Sequence, residues 1–230
     1  MSSRQEEKER RRGARLAAER EAAARDARRR RLGLAVGGGL AAVAAVIVVI
    51  ALTAGGGSKK KPDESAAKLD AAVQARASAA GCTAQAYPNF GRNHVEGKVK
   101  YATNPPTSGD HNPTPASDGI YDPGGTPQVE KLVHALEHGR VQYQYRPGTP
   151  KSVVNQLQAL MTEPGANGRP AGYNQLFYEN TTGMRYQVAA TAWRHLLGCP
   201  RFRGAATLAA LRAFRDAYTD KAPELIQAPE

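Results

Sequence analysis

Apolar residues recur along this chain in three rhythms, and each predicts a different kind of element. Between residues 32 and 57 they run almost unbroken, as LGLAVGGGLAAVAAVIVVIALTAGGG, with no charged residue. About 20 such residues cross the hydrocarbon core of a bilayer as a helix, so this segment reads as one transmembrane helix. From residue 128 a helical period takes over. Val129, Leu132, Val133 and Leu136 stand at i, i+3, i+4 and i+7, the apolar stripe of a helix over 128–138. The period then drops to two in VQYQY, a strand over 141–145. A helix over 152–161, strands in NQLFYEN (174–180) and YQVAATAWRHL (186–196), and a closing helix over 206–218 complete the regular pattern.

These elements predict an α+β fold in which a small sheet carries helices on one face. Leu157, Leu160, Leu176, Phe177, Val188, Trp193, Leu208, Leu211 and Phe214 supply one modest core. Residues 82–127 break the pattern with YPNFGRNH, TNPPTSGDHNPTPASDG and YDPGGTP, which is loop chemistry. Loops of that length in a compact domain are functional or disordered. Tyr87, Phe90, Val95, Val99, Tyr101, Ile120 and Tyr121 give this one surfaces to pack, which favours an ordered functional loop. The alanine-rich run over 64–80 reads as a juxtamembrane helix stopped by Gly81.

Charge divides the chain in the same places. Of the formal +11, +6 falls on residues 1–31, +2 on 59–81 and +3 on 82–230. The basic character therefore belongs mostly to the arm, and the C-terminal domain needs no nucleic-acid partner. The organisation expected is a basic cytoplasmic arm (1–31), a transmembrane helix (32–57), a linker with the juxtamembrane helix (58–81) and a domain over 82–230. RRRR at residues 28–31 outweighs KKK at 59–61, so the arm stays in the cytoplasm and the domain faces outward from the cell membrane. A cleaved secretory signal is the rival reading; the long arm and long apolar run weigh against it. Outside the cell Cys82 and Cys199 meet oxidising conditions and are expected to pair.

Four of the five histidines, His94, His111, His134 and His138, fall within 45 consecutive residues. The first two sit in loops, in GRNH and SGDH, and the last two form HALEH on the helix over 128–138. Imidazole is the commonest protein ligand for transition metals, and an i, i+4 pair projects both rings to one side. His134 and His138 fall opposite the apolar stripe. They are therefore not expected to be core residues, and are either solvated or covered by the loop that bears His94 and His111. The metal reading is copper(II) or zinc on these four, with Glu137 orienting a histidine from behind. A metal-free alternative is a surface module presenting Tyr87, Phe90 and Tyr121 to a cell-surface protein or cell-wall partner. The same residues spell H-x-x-E-H, the inverted-zincin pattern of metallopeptidases, but Gly139 ends the helix where such enzymes continue it. Ser108 has no nucleophile elbow, and phosphate-loop and dinucleotide signatures are absent from the sequence. Trp193 and His195 read as structural.

The run from AGCTAQAYPNFGRNHVEG through YATNPPTSGDHNP and GIYDP to VHALEHGRVQYQYRP, with ATAW at 190–193, resembles the bacterial DUF3105 family over about residues 80–220. The resemblance implies a membrane-anchored extracytoplasmic domain, common in actinobacteria, with no assigned reaction. His94, His111, His134, Glu137 and His138 match its motif positions. Residues 183–186 depart from its Pro-rich turn, so nothing is carried over to Met184.

Overall fold

The structure is a computed structural model that describes residues 66–225. The basic arm, the apolar segment of residues 32–57 and most of the linker lie outside the described residues. Among those described, no helix is long and apolar enough to cross a membrane.

In the described residues four α-helices and six strands follow in the order α1 (Ala71–Ala79), β1 (Thr83–Ala86), β2 (Gly119–Ile120), α2 (Val129–Glu137), β3 (Val141–Tyr145), α3 (Lys151–Ala159), β4 (Gln175–Glu179), β5 (Val188–Ala192), β6 (His195–Cys199) and α4 (Ala205–Tyr218). The strands form one mixed sheet in the order β1-β6-β5-β3-β4-β2. β1, β6, β5 and β3 are antiparallel neighbours, whereas β4 and β2 continue parallel to β3.

Register gives the sheet two unlike faces, because side chains alternate along each strand. Tyr143 pairs with Phe177 on one side and Ala190 on the other, and this face carries Val141, Tyr145, Val188 and Leu197 into the main core. Helices α1, α3 and α4 cover it with Val73, Leu157, Leu211 and Phe214. Complete burial of each such Leu, Val or Phe contributes about 1.5–3 kcal/mol. The opposite face carries Gln142, Gln144 and Thr191, and here α2 and the long loop form the cover. Its polar groups pair with one another: Tyr178 Oη donates to Gln142 Oε1 (2.7 Å), Gln142 Nε2 to the Leu132 carbonyl (2.6 Å), and Gln144 Nε2 to Thr191 Oγ1 (2.8 Å).

The α+β class is as expected, while three details differ. Helices cover both faces of the sheet, since α2 packs Leu132 and Ala135 on Leu176 and Tyr178, across from the other three helices. The single strand expected over 186–196 is a hairpin, β5–β6, that turns at Trp193 and Arg194. Arg194 takes φ +66° there, a slot usually marked by Gly or Asn. The helix expected from residue 64 begins at Ala71, where Asp70 caps it by accepting from Val73 N (3.0 Å). It is part of the folded unit: Val73 and Ala77 enter the main core, and Tyr218 Oη accepts from Asp70 N (2.8 Å). Cys82 and Cys199 form the expected disulfide, joining the chain beside β1 to the end of β6.

Candidate metal centre

Helix α2 ends at Glu137, and Gly139 follows with φ +84°. A Cβ there would stand 2.9 Å from the Asp220 Cα, so glycine is needed for both conformation and space. The C-terminal segment docks on this end, with Asp220 N donating to the Gly139 carbonyl (2.9 Å) and Glu224 N to the Glu137 carbonyl (3.1 Å). The apolar stripe packs as expected, Val133 and Leu136 lying against Trp193.

The other side of α2 is covered too. His134 and His138 are buried, with 3% and 6% of their surface exposed. Of the two fates open to them, the loop fold-over is the one adopted. The loop first braces itself: His94 and His111 form a parallel bridge, in which Val95 N donates to the His111 carbonyl (2.8 Å) and His111 N to the Asn93 carbonyl (3.0 Å). It then staples to the helix. Asn112 N donates to the Glu130 carbonyl (3.3 Å), Ala116 N to the Lys131 carbonyl (2.9 Å), and Val99 N to Glu130 Oε1 (3.0 Å). Ser108 clamps the same loop by accepting from Phe90 N (3.1 Å), a structural use of its hydroxyl.

These contacts bring His94, His111, His134 and Glu137 together, with one potential ligand atom from each lying within 4.8 Å of all the others. Donors at about 2.1 Å on a tetrahedral zinc ion stand about 3.4 Å apart, so the group would draw in by up to about 1 Å per donor to hold one. His94 is the solvent-exposed member; His111, His134 and Glu137 are buried.

The backbone selects the tautomers. His111 Nδ1 lies 2.8 Å from the Gly109 carbonyl, and His134 Nδ1 lies 2.6 Å from the Asn112 carbonyl. A carbonyl only accepts, so each Nδ1 carries the proton, and each Nε2 meets a different partner: Glu137 Oε2 for His111 and His138 Nε2 for His134, both at 2.9 Å. Gly109 holds its carbonyl there with φ +133°, and a Cβ on it would press the Tyr101 ring at 3.1 Å.

Charge at the centre is finely divided. His111 Nε2 approaches Glu137 Oε2 to 2.9 Å, and Arg92 Nε lies 3.2 Å from Glu137 Oε1. Burial raises the Glu137 carboxyl pKa, but His111 and Arg92 outweigh it and the net shift is downward. Burial lowers the His111 pKa, yet Glu137 and the Gly109 carbonyl carry the net shift upward. His134 is shifted down, chiefly by burial, with neighbouring His111 and His94 adding to it. His138 is pushed down to about 4 by burial, His134 and Arg140.

His138 does not join the four-membered group. Its Nε2 stands 2.9 Å from His134 Nε2, the nitrogen left once His134 Nδ1 is bonded to Asn112, and 3.8 Å from Glu224 Oε2. Glu137, expected behind the ligands, stands among them. This ordering does not suit the inverted-zincin pattern, where both histidines of the motif hold the ion and the glutamate stays off it. His195 is remote from the centre, stacked on Tyr218 at 3.9 Å. Of the aromatics considered for a partner surface, Phe90 is exposed, while Tyr87 and Tyr121 are half-buried against core clusters.

The chain matches the family model described as "Protein of unknown function (DUF3105)" over residues 94–229, more than half its length, and belongs to that family. The match begins at His94, so all four members of the group lie within it. No curated protein matches the chain, and no solved structure does.

Proposed function

We propose that this domain binds a single transition-metal ion, copper or zinc, through His94, His111, His134 and Glu137. One observation carries the reading: His111 and His134, both buried, have Nδ1 fixed by backbone carbonyls, and one potential ligand atom from each lies within 4.8 Å of those of His94 and a buried carboxylate, Glu137. Metal sites hold their imidazoles in this way, with the remote nitrogen bonded to a carbonyl or carboxylate. Three imidazole nitrogens and one carboxylate oxygen suit zinc or copper(II) better than calcium or magnesium, which favour all-oxygen sets. His138 adjoins the group through His134 and offers a further nitrogen beside it.

The membrane reading completes the proposal. Residues 32–57 anchor the chain, residues 1–31 remain in the cytoplasm against anionic lipid, and the domain works outside. A reporter active only outside the cytoplasm, fused after Glu230, is expected to be active; an inactive reporter beside an active cytoplasmic one would reverse the topology.

X-ray absorption on the metal-loaded full chain tests the ligand set. Multiple-scattering features of three imidazoles plus a nitrogen or oxygen donor are expected. A spectrum with at most one imidazole would overturn the assignment.

The second reading has its own observation. Arg92 and His111 flank Glu137 closely enough to neutralise it as a metal-free buried ion pair. On that reading the cluster fastens the loop to α2, and the surface-module role passes to the exposed loop around Phe90.

A further inference from the structure

One helical turn before His134, on the same side of α2, Glu130 enters a different environment. It lines an open cleft of about 310 Å³ together with Tyr101, Thr103, Asn104, Pro106 and Val129. That volume is at the lower end of the range for small-molecule sites. A second, smaller pocket of about 80 Å³ shares Pro106, Val129 and Thr182 with it and is lined by both apolar residues (Leu132, Val133) and polar ones (Gln142, Asn180).

Glu130 is 3% exposed. Its Oε1 accepts from Val99 N, but its Oε2, buried in the cleft wall, has no hydrogen-bond donor. The nearest positive charge is Lys98 Nζ at 3.5 Å, on a side chain that is 79% exposed. Thr103 Oγ1, on the same cleft, is likewise buried without a hydrogen-bond partner. A buried carboxylate oxygen is stabilised by a charged donor, and a loosely held surface ammonium supplies the charge without a hydrogen bond. Among the described residues that line the cleft Glu130 is the only carboxylate, so they do not make the ligand set of a metal.

We infer that this cleft binds a small organic ammonium, with the cation on Glu130 Oε2 and its apolar chain against Val129 and Pro106, displacing Lys98. The chemistry is shared by a free alkylamine and by the lysine side chain of a peptide. The inference is independent of the metal centre.

Saturation-transfer difference NMR on the full chain, with a chelator present throughout, tests it. The probes are n-butylammonium, Nα-acetyl-lysine N-methylamide and, as the uncharged control, n-butanol. Saturable binding of at least one ammonium probe and none of butanol is expected, the tighter ammonium identifying the source. Glu130→Gln keeps the acceptor for Val99 and is expected to weaken binding roughly tenfold or more. Lys98→Ala, at an exposed position, is expected to tighten it about threefold by removing the competing ammonium. Binding of neither ammonium, equal binding of butanol, or an unchanged affinity in Lys98→Ala would overturn the inference, the last without depending on how Glu130→Gln folds.

Discussion

His111 Nε2 and Glu137 Oε2 lie 2.9 Å apart, both side chains almost fully buried, yet neither atom makes an aligned hydrogen bond. Nδ1 of the same ring already donates to the Gly109 carbonyl, so Nε2 meets the carboxylate either as the second proton of an imidazolium or as a lone pair. The upward shift of His111 and the downward shift of Glu137 are those of an ion pair in the metal-free chain. On the proposed function both lone pairs turn to one cation instead.

That relationship makes Glu137 the most sensitive position in the centre. Glu137→Gln removes the only carboxylate of the group while keeping its shape. We expect metal affinity to fall about 100-fold or more, beyond the 10–100-fold typical of losing an outer partner. Competition against a chelator of known affinity measures this, and a loss below tenfold would return Glu137 to a supporting role.

Proton and metal compete for His111, whose pKa lies above the ordinary histidine value of 6.5. Metal affinity is therefore expected to begin falling while the pH is still above 6.5, with a proton released per ion bound near neutrality. The metal-free chain has a different signature. His138 titrates at 6.5 when unfolded and at about 4 when folded, so the unfolded state binds more protons in that window. Stability consequently falls as pH drops from 6.5 towards 4. Thermal melts of His138→Asn are expected to show a shallower slope across the window; an unchanged slope would refute the assignment.

Trp193 is the chain's one tryptophan, and its ring meets His111 edge-on with centroids 6.1 Å apart. Copper(II) held by His111 is expected to quench most of the fluorescence at one equivalent, whereas zinc should leave its intensity nearly unchanged. Equal responses to both metals would place the ion elsewhere.

The disulfide ties residues 117 positions apart. In the chain-entropy picture closing such a loop contributes about 3–5 kcal/mol. Cys82→Ala with Cys199→Ala is expected to lower Tm by about 10 °C, read by circular dichroism. A loss under about 2 °C would show that the core alone holds β1 against β6.

Periodicity made α2, α3, α4, β3 and β4 legible to within a few residues, since each has an apolar stripe or a clean alternation. It failed at the β5–β6 turn because Arg194 adopts a positive φ with no Gly or Asn to announce it. β1 and β2, four and two residues long, are too short for any period. At the site, the sequence offered the histidines and one of two fates for their helix face. It did not offer the order of ligands. About 100° per residue sets Glu137 and His138 on opposite sides of His134, roughly 60° one way and 40° the other. Which of them meets the loop is decided by where residues 93–95 and 110–112 dock, a tertiary fact that no local spacing encodes. Arg92 was hidden for the same reason.

The central claim is that the folded group holds an ion. The direct measurement is metal content of the full chain after loading with copper or zinc and exhaustive dialysis, read by mass spectrometry beside a His111→Ala, His134→Ala double variant. The account predicts close to one equivalent of one of the two metals in the native chain and near none in the variant. Less than a tenth of an equivalent of both metals in the native chain would contradict it.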